Sequence, residues 1–381
     1  GENRGMRFVL SGYFGFGNAG DEAMLAAMVQ HLREAVPDAS IVALSREPEA
    51  TRRTHGIDAV ERTSLPKILR EIAAADLFIS GSGSLLQDVT SFRSLAYYLG
   101  LAALARLMGK PVFFYSQGVG PLKRAWSRWL VRFVANTVNA ITVRDEPSRR
   151  LLEKVGVKRP PIVVTADPAF GLELGPSVRR GVDILASEGV RIAAGTPLVL
   201  VSVRPWADGS GYLEAVARAA DEAQRSLGAV VVYVPFHKPG DVAASRAAAE
   251  LMHHGSYVLE RDYAPQEIMS LVECADLVIG MRYHALVFAV ASATPFVAVS
   301  YDPKIDGLLR MVGEEAGLSV TPAGRAVGDG EALARKVMDV WARRESMKAA
   351  LAAAKPALAE AARQAARLAV ETGRRSRALT G

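Results

Sequence analysis

The residues best suited to chemistry lie in the segment Gly280–Leu286, between a predicted strand and a very apolar helix. His284 enters that helix, whose stretch Ala285–Ala293 contains Ser292 as its one polar residue. Burying an imidazole there costs free energy unless the ring is paired or has a function, and a histidine at such a point can transfer a proton. A lone histidine is more often structural, but the neighbouring Arg282 favours a catalytic site.

Basic residues follow several other predicted strands, among them Arg144, Arg204 and Lys304. A guanidinium at the carboxyl end of a parallel strand can bind a carboxylate or a phosphate through two hydrogen bonds. For Arg144, a local ion pair with Asp145 is the alternative. If these cations gather with the turn that begins at Gly280, they would suit a small and highly anionic ligand.

A glycine-rich motif, Gly15–Gly20, directly follows the first predicted strand and matches the GxGxxG pattern of dinucleotide-binding turns. Asp21 and Glu22 argue against that interpretation, because carboxylates in the first helical turn repel phosphate groups. The same position suits the recognition of hydroxyl groups, since a carboxylate can accept their hydrogen bonds or protons. We therefore predict that Asn18 and Asp21 contact a hydroxyl-bearing ligand, with a simple helix N-cap as the alternative for Asp21.

Two further polar segments, Gly81–Asp88 and Tyr115–Pro121, follow predicted strands. Their small residues let a ligand approach the backbone, and their amides and hydroxyls can donate hydrogen bonds. Glycine in such a segment is also ordinary turn chemistry. The predicted ligand contacts in these segments are Gly81, Ser82, Gln87, Asp88 and Gln117.

The composition is that of a globular protein with a mild excess of positive charge. Half of the 381 residues are hydrophobic, 23% are charged, and the net charge is +6. Anionic small substrates or an anionic membrane surface fit this excess, whereas nucleic acid is not favoured, since no basic blocks are interleaved with aromatic residues. The single Cys274 excludes an intrachain disulfide and a cysteine-based zinc site, and no metal-ligand spacing appears.

Neither a signal peptide nor a transmembrane span is predicted, so we expect a cytoplasmic protein. The sequence gives no indication of the oligomeric state.

Short apolar runs alternate with helical patterns along the chain, which is typical of parallel α/β sheets. We predict strands at Arg7–Gly12, Ile41–Ser45, Leu77–Ser80, Val112–Tyr115, Ile141–Arg144, Ile162–Thr165, Leu198–Val203, Val230–Val234, Tyr257–Leu259, Leu277–Ile279 and Phe296–Ser300. An internal repeat indicates two halves of similar design, since Ala75–Leu77 and Ala275–Leu277 both read Ala-Asp-Leu and both lead into a buried strand. Two ordinary helix-to-strand junctions are the alternative.

The predicted fold class is α/β, with two doubly wound, Rossmann-like domains facing a cleft in a GT-B-like arrangement. We place the first domain at residues 6–174, the second at residues 175–345, and a helical tail at residues 346–381. The tail either packs back on the first domain or frays into solvent.

The ordered motifs resemble those of the polysaccharide pyruvyl transferase family, and of its CsaB-like branch in particular. The resemblance covers about residues 7–310 and rests on the segments Gly17–Glu22, Gly81–Asp88, Ser116–Pro121, Val143–Asp145, Ala166–Phe170 and Gly280–Ala285. Ser82 departs mildly from the run of three glycines that is common in the family, and a serine fits there. The family implies a GT-B-like fold, in agreement with the prediction from the residues.

The resemblance implies that phosphoenolpyruvate, as co-substrate, gives its pyruvyl group to two hydroxyls of one sugar, forming a cyclic ketal and releasing phosphate without a further cofactor. In the CsaB-like branch the sugar is a β-linked N-acetylmannosamine, modified at O4 and O6 in a lipid-diphosphate-linked disaccharide. That disaccharide is a precursor of the secondary cell-wall polymer that anchors S-layers.

The resemblance also assigns roles to the candidate residues. His284 would be the general acid, Asp21 or Asp167 would activate the acceptor hydroxyl, and Arg144 would stabilise charge as phosphate leaves. The second domain would bind the donor through Arg204, Gly280, Arg282 and Lys304. The first domain would bind the acceptor through Asn18, Gly81, Ser82, Gln87, Asp88, Gln117 and Asp167.

A lipid-linked acceptor requires access to a membrane, and residues 123–133 offer a candidate contact. This segment carries a basic stripe on one helical face and an aromatic stripe on another, a pattern typical of a helix in a membrane interface. Its residues are Arg124, Arg128 and Arg132 on the first face and Trp126, Trp129, Leu130 and Phe133 on the second. An ordinary amphipathic helix covering the sheet is the more common alternative. A peripheral location on the inner face of the cytoplasmic membrane would follow from the first interpretation.

Two other functions remain as alternatives. A nucleotide-sugar-dependent GT-B glycosyltransferase could use the turn Gly280–His284 to bind a diphosphate. A sugar-binding module without turnover would need no general acid, so loss of His284 would leave its affinity unchanged.

Overall fold

The structure, a computed structural model, describes residues 5–206, 211–299, 302–312, 319–321 and 330–381. The chain divides into two compact units, each described below on its own. Unit 1 contains the N-terminal residues up to Phe16, the segment Asp21–Leu172 and the segment Leu358–Gly381. Unit 2 contains the short loop Gly17–Gly20 and the segment Glu173–Ala357.

The strands of unit 1 form a seven-stranded sheet. They are β1 (Arg7–Ser11), β2 (Ser40–Ser45), β3 (Asp58–Glu61), β4 (Leu77–Leu86), β5 (Val112–Val119), β6 (Ala140–Val143) and β7 (Ile162–Val164). The sheet has the order β3-β2-β1-β4-β5-β6-β7, and all its strand pairs are parallel. The helices along this part of the chain are α1 (Ala19–Ala35), α2 (Pro48–His55), α3 (Leu65–Ala74), α4 (Phe92–Leu107), α5 (Ala125–Ala135), α6 (Glu146–Val155) and the 3₁₀ helix η1 (Pro168–Gly171).

The strands of unit 2 form a six-stranded sheet of the same design. They are β8 (Leu198–Ser202), β9 (Val230–Tyr233), β10 (Tyr257–Val258), β11 (Leu277–Gly280), β12 (Phe296–Val299) and β13 (Ser319–Thr321). They pair in parallel in the order β10-β9-β8-β11-β12-β13. The helices along this part of the chain are α7 (Gly181–Ser187), α8 (Tyr212–Leu227), α9 (Gly240–Leu251), α10 (Pro265–Cys274), α11 (Tyr283–Ala291), α12 (Pro303–Val312), α13 (Gly330–Ala342) and α14 (Arg344–Thr380). Helix α14 passes from unit 2 into unit 1 after Ala357.

Both sheets are buried on two faces, which explains why their strands are apolar without alternation. In β1, Phe8 and Leu10 belong to one apolar cluster and Val9 belongs to another, and all three side chains are fully buried. The predicted pair of Rossmann-like α/β sheets is confirmed.

The internal repeat has a physical basis in both units. In unit 1, the carboxylate of Asp76 accepts the backbone N–H of Arg7 at 2.8 Å, and the backbone N–H of Asp76 donates to the Arg7 carbonyl at 2.8 Å. In unit 2, Asp276 forms the same two bonds with Leu198, at 2.7 and 2.9 Å. Each aspartate therefore fixes the register between a central strand and the first strand of its sheet.

Two strands extend beyond their predicted ends at Ser80 and Tyr115, so those two predicted bounds are wrong. Strand β4 continues through Gly81–Leu86 and β5 through Ser116–Val119, with a register shift between Gly83 and Leu86. Gly81 is required there because its φ is +141° and a Cβ would lie 2.3 Å from the Tyr115 carbonyl oxygen. The small residues thus serve strand packing and not a turn.

Other strand boundaries also differ from the predictions. Strands β3 and β13 were not predicted, since both are short and β3 carries an acidic residue at each end. The predicted final residue of β12, Ser300, lies outside the described residues.

The C-terminal segment Leu358–Gly381 belongs to unit 1. Its buried residues Ala365, Ala366, Ala369 and Val370 join the apolar cluster that contains Phe8 and Leu10. Ion pairs from Arg363 to Glu34 (3.3 Å) and from Arg377 to Asp76 (3.1 Å) flank this contact. Among the described residues, no helix has both the length and the apolar composition needed to cross a bilayer.

Candidate active site

His284 lies in the first turn of α11, in unit 2, and is half-buried. Its ring packs directly against Gly20, where an added Cβ would lie 2.4 Å from Nδ1 and 2.7 Å from Cγ. The ring of Tyr283 meets the imidazole edge-on, with centroids 5.1 Å apart. The last glycine of the motif Gly15–Gly20 is therefore needed because the imidazole occupies the space of its side chain.

The loop Gly17–Gly20 is held by hydrogen bonds within unit 2. Asn18 accepts the Gly20 N–H through Oδ1 at 3.0 Å and forms an isolated antiparallel bridge with His237. The Ala19 N–H donates to the Phe236 carbonyl at 2.8 Å. This loop is thereby joined to the segment that follows β9, and Asn18 serves the loop itself.

Arg282 precedes α11 and forms a two-point ion pair with Asp241. Its Nε and Nη2 donate to the carboxylate at 2.9 and 2.6 Å. Asp241 is fully buried and also accepts the backbone N–H groups of Phe236 and His237, each at 3.1 Å. This pairing uses the edge formed by Nε and Nη2, which leaves three of the five N–H donors of the guanidinium, two on Nη1 and one on Nη2, outside the pair.

Lys304 is the other predicted donor contact near α11. It lies in the first turn of α12, and its Nζ is 5.7 Å from the centroid of the Tyr283 ring. Gly280 ends β11, where a Cβ would lie 2.5 Å from the Leu286 side chain, so this glycine permits close packing of α11. Arg204 follows β8 and donates through Nε to the Pro205 carbonyl at 3.2 Å.

Asp21 and Glu22 have different surroundings in unit 1. A Cβ at Gly83 would lie 3.2 Å from Oδ1 of Asp21, so this carboxylate lies over the extended end of β4. Glu22 instead accepts the Gly15 N–H at 2.9 Å and contacts Nε2 of His55 at 2.8 Å. Glu22 thus stabilises the glycine-rich loop, while Asp21 lies next to Gly83 in the extended end of β4.

Arg144 lies beside the same extended strand and is 6% exposed. Its Nη2 donates to Ser84 Oγ at 3.1 Å, and its Nε is 3.8 Å from Asp145. The guanidinium lies flat on Gly118, where a Cβ would be 2.4 Å from Cζ. The local ion pair named as the alternative is therefore present, but it is long, and Asp145 is occupied as the N-cap of α6.

Several predicted acceptor contacts are engaged within unit 1. Ser82 is buried beside the Met28 sulfur, and Gln117 is fully buried and donates to the Ser80 carbonyl at 2.9 Å. Gln87 binds its own loop through Val89 and Thr90. Asp167 is 1% exposed and accepts the Ala169 N–H at 2.9 Å as the cap of η1. These contacts show that the four side chains support the fold of unit 1.

Asp88 fixes the start of the segment that leads into α5. Its carboxylate accepts the backbone N–H groups of Lys123 at 3.0 Å and Arg124 at 2.8 Å. Burial raises the pKa of Asp88, but these two bonds and one from Ser127 outweigh it and hold the pKa below its ordinary value. Its stabilising effect is therefore present at neutral pH and is lost as the pH falls through that lowered pKa.

Comparison with known proteins identifies the family. A sequence model described as "Polysaccharide pyruvyl transferase" matches residues 18–303, which include the loop at Asn18, the extended strands of unit 1 and the turn at His284. The chain belongs to the polysaccharide pyruvyl transferase family. As a family member it is a pyruvyltransferase, with phosphoenolpyruvate as donor and a sugar as acceptor in general terms.

Similar proteins agree with this membership. The chain is similar to the amylovoran biosynthesis protein AmsJ of Erwinia amylovora, at 23% identity over 81% of this chain and 86% of AmsJ. Among solved structures it is similar to Anabaena HepE in complex with UDP and glucose, with a TM-score of 0.64, 15% identity and coverage of 94% and 97% of the two chains. It is also similar to the UDP-GlcNAc 2-epimerase of Neisseria meningitidis, with a TM-score of 0.62, 12% identity and coverage of 96% and 99%. The structural likeness shows a Rossmann-like GT-B fold.

In this pyruvyltransferase, the predictions from sequence missed Asp241, which orients Arg282. A signal was present, since Asp241 lies in the first turn of α9 and follows Pro239 and Gly240. Arg46 and Arg62, which follow β2 and β3, were also not predicted as site residues, and for Arg62 the strand before it was not predicted either.

Replacing Gly20 with alanine is expected to lower the pyruvyltransferase kcat by about 100-fold, because a displacement of a catalytic group by about 1 Å can cost that much. The added methyl group would overlap the His284 ring and move it. Steady-state kinetics on G20A measures the effect, and G17A, whose Cβ meets nothing within 4 Å, is a control for substitution in the same loop. Because Gly17 has a positive φ, alanine at this position destabilises the protein. The kinetics of the two variants are therefore compared at temperatures equally far below their melting temperatures. Unchanged kcat in G20A would contradict the assigned contact.

Proposed function

We propose that this pyruvyltransferase forms a 4,6-ketal on a β-linked N-acetylmannosamine of a lipid-diphosphate-linked disaccharide, as in the CsaB-like branch, in the synthesis of a secondary cell-wall polymer. The observation that supports it most is the position of His284. Its imidazole lies at the start of α11, between Gly20 and Tyr283, with Arg282 and Lys304 on the adjoining turns. A proton donor surrounded by cations is what an enol phosphate substrate requires.

In the proposed reaction, His284 donates a proton to the methylene carbon of phosphoenolpyruvate. The resulting cationic centre at C2 is attacked by the first sugar hydroxyl, which loses its proton. The bond from C2 to the phosphate oxygen then breaks, phosphate leaves, and the second hydroxyl attacks C2 and loses its proton. One of the two hydroxyl protons restores His284 and the other leaves with the products, so no oxidant and no cofactor beyond the co-substrate is needed.

The charged residues have separate roles in this proposal. The guanidinium edge of Arg282 that does not pair with Asp241 and Nζ of Lys304 bind the carboxylate and phosphate of the donor in unit 2. Asp21 accepts the proton of an acceptor hydroxyl, since Asp167 is buried as a cap. Arg144 supplies positive charge from unit 1 that stabilises the negative charge of the phosphate as it leaves.

The experiment that tests this function is an incubation with radiolabelled phosphoenolpyruvate and a synthetic lipid-diphosphate disaccharide that ends in β-N-acetylmannosamine. We expect label in the lipid product and release of one phosphate per ketal. A parallel reaction with a 4-deoxy acceptor should give no ketal, because both hydroxyls are needed. Consumption of a nucleotide sugar in place of phosphoenolpyruvate would favour the glycosyltransferase alternative and overturn the proposal.

Contact with the membrane that holds such an acceptor is proposed for α5. Three of its aromatic side chains are exposed, at 67% for Trp126, 54% for Trp129 and 60% for Phe133, and their rings pack together with centroids 5.6 Å apart in each neighbouring pair. The opposite face of α5 buries Val131 and Val134 in unit 1. The aromatic face is thus not the one that covers the sheet.

Basic side chains surround this aromatic face. Exposed residues beside it are Lys123, Arg124, Arg128 and Arg132. Aromatic rings insert at the level of lipid headgroups, and each nearby basic residue adds about 1 kcal/mol of attraction to an anionic surface. We propose that this face binds the anionic inner face of the cytoplasmic membrane as a peripheral contact.

Replacing Trp126, Trp129 and Phe133 together with serine is expected to lower the fraction of protein bound to vesicles of phosphatidylglycerol by at least about 10-fold. Sedimentation with sucrose-loaded vesicles measures it. Activity on a water-soluble acceptor should not change. The control is the double variant L65S/L107S, which removes two exposed apolar side chains elsewhere on unit 1 and should bind as the unmodified protein does. If the triple variant binds the vesicles as well as the unmodified protein does, the proposed membrane contact is rejected.

A further inference from the structure

A second group of cations lies at the carboxyl edge of the unit 1 sheet, separate from Arg144. Arg46 directly follows β2 and Arg62 directly follows β3, and these two strands pair with each other at one side of the sheet, with β2 next to β1. The Arg62 N–H donates to the Ser45 carbonyl at 3.0 Å, and the Arg46 N–H donates to the Phe14 carbonyl at 3.1 Å. Ligands of doubly wound sheets bind at this edge.

Aromatic rings hold both guanidinium groups in place. Cζ of Arg62 lies 4.2 Å from the Tyr97 ring centroid and 4.9 Å from that of Phe16, and Cζ of Arg46 lies 5.3 Å from Phe16. Phe16 is itself stacked on Tyr13, with centroids 3.9 Å apart and planes 3° from parallel. The rings fix the cations without neutralising them, because a cation–π contact leaves the formal charge in place.

The charge of this pair is not balanced by an ion pair. Across the residues that the structure describes, neither guanidinium lies within 4.0 Å of a carboxylate oxygen, and Nε of Arg62 is buried without a hydrogen-bond partner. The nearest carboxylates along the chain are Glu61, which accepts the Thr63 hydroxyl, and Glu47. Both guanidinium groups contact the same Phe16 ring, so two positive charges lie near each other and repel.

We propose that Arg46 and Arg62 form a subsite for phosphate oxygens, and that it binds the diphosphate of the acceptor. This rests on the proposed function, in which the acceptor carries a diphosphate and unit 1 is the acceptor side. Guanidinium groups bind phosphate oxygens through paired hydrogen bonds, and their prior fixation by Phe16 and Tyr97 reduces the entropy lost on binding. The neighbouring Tyr13 lies within the electrostatic reach of Asp21, Arg62 and Arg46. The subsite therefore lies near the proposed acceptor base.

The test uses R46Q, R62Q and the double variant with two acceptors, one bearing the diphosphate and one a neutral methyl glycoside of the same sugar. We expect KM for the diphosphate acceptor to rise about 10-fold in each single variant and about 100-fold in the double variant, since each charge-assisted contact contributes about 1.4 kcal/mol. KM for the methyl glycoside and KM for phosphoenolpyruvate should not change. Arg70→Gln removes an exposed charge of unit 1 elsewhere and is the matched control.

A binding measurement separates this subsite from the reaction. Isothermal titration of the unmodified protein with inorganic pyrophosphate should show one site that R46Q/R62Q loses and that weakens as salt is raised. Equal loss on both acceptors, or a raised KM for phosphoenolpyruvate alone, would overturn the assignment. If R46Q/R62Q loses pyrophosphate binding but the unmodified protein does not use phosphoenolpyruvate, the results support the subsite and reject the proposed function. R46Q alone tests the idea if R62Q does not fold, because Arg46 is exposed.

Discussion

Replacing His284 with alanine should lower the rate of phosphate release from phosphoenolpyruvate by about 10²- to 10⁴-fold, the range typical of a lost general acid. Protonation of the methylene carbon starts the proposed reaction, and no later step can compensate for its absence. Binding of phosphoenolpyruvate should change far less, since the proposed function assigns donor binding to Arg282 and Lys304. Single-turnover release of labelled phosphate, beside direct titration of the donor, separates the two effects.

Two variants control for this experiment. His253→Ala removes an exposed imidazole of unit 2 and should leave the rate unchanged. H284N keeps a polar side chain of similar size against Gly20 but cannot donate a proton in the same way, so it should be as slow as H284A. A rate in H284A within 10-fold of the unmodified protein, about 1.4 kcal/mol or less of the barrier, would reject the general-acid role.

Replacing Asp241 with alanine is expected to destabilise unit 2 by about 3–5 kcal/mol, the cost of removing one partner of a buried ion pair. The carboxylate is fully buried and accepts both guanidinium bonds of Arg282 and the N–H groups of Phe236 and His237. D241A leaves all four donors without their acceptor. Urea unfolding followed by circular dichroism measures the change in the free energy of unfolding.

A double variant distinguishes stability from function at this pair. D241A/R282M removes the cation together with its carboxylate, and replacing a buried pair by apolar residues is often neutral, so much of the lost stability should return. Donor use should not return, because the arginine is then absent. E222A breaks an exposed ion pair with Arg225 and should leave the unfolding midpoint unchanged. If D241A/R282M is as unstable as D241A, the lost stability of D241A does not come from its ion pair with Arg282.

The sequence predicts the fold well because the physical signals are local and repeated. Uninterrupted apolar strands indicate parallel sheets covered on both faces, and the repeated Ala-Asp-Leu junctions mark the same hydrogen-bonded position in both sheets. The ends of β4 and β5 were missed for the opposite reason. Gly81 and Gly83 carry the composition of a turn, and only the close approach of Tyr115 shows that they are strand.

Part of the candidate site could be predicted from the sequence, because some of its residues are unusual in their local sequence and others are not. His284, Arg282 and Lys304 were found because each is a costly residue beside an apolar element, and the structure places all three around the start of α11. Their partners could not be found in the same way. Asp241 is 41 residues from Arg282 along the chain, and the stacking of Arg62 on Tyr97 depends on long-range contacts that spacing does not encode.

The membership of Leu358–Gly381 in unit 1 has a consequence for the order of events during protein synthesis. The ribosome completes the N-terminal sheet long before it makes Ala365, Ala366, Ala369 and Val370, which fill one side of that sheet's apolar cluster. Until then, the surface around Phe8 and Leu10 lacks its final cover and is open to association with other nascent chains or with chaperones. Unit 1, whose sheet is translated first, therefore completes its apolar cluster only after the last residues of the chain have been made.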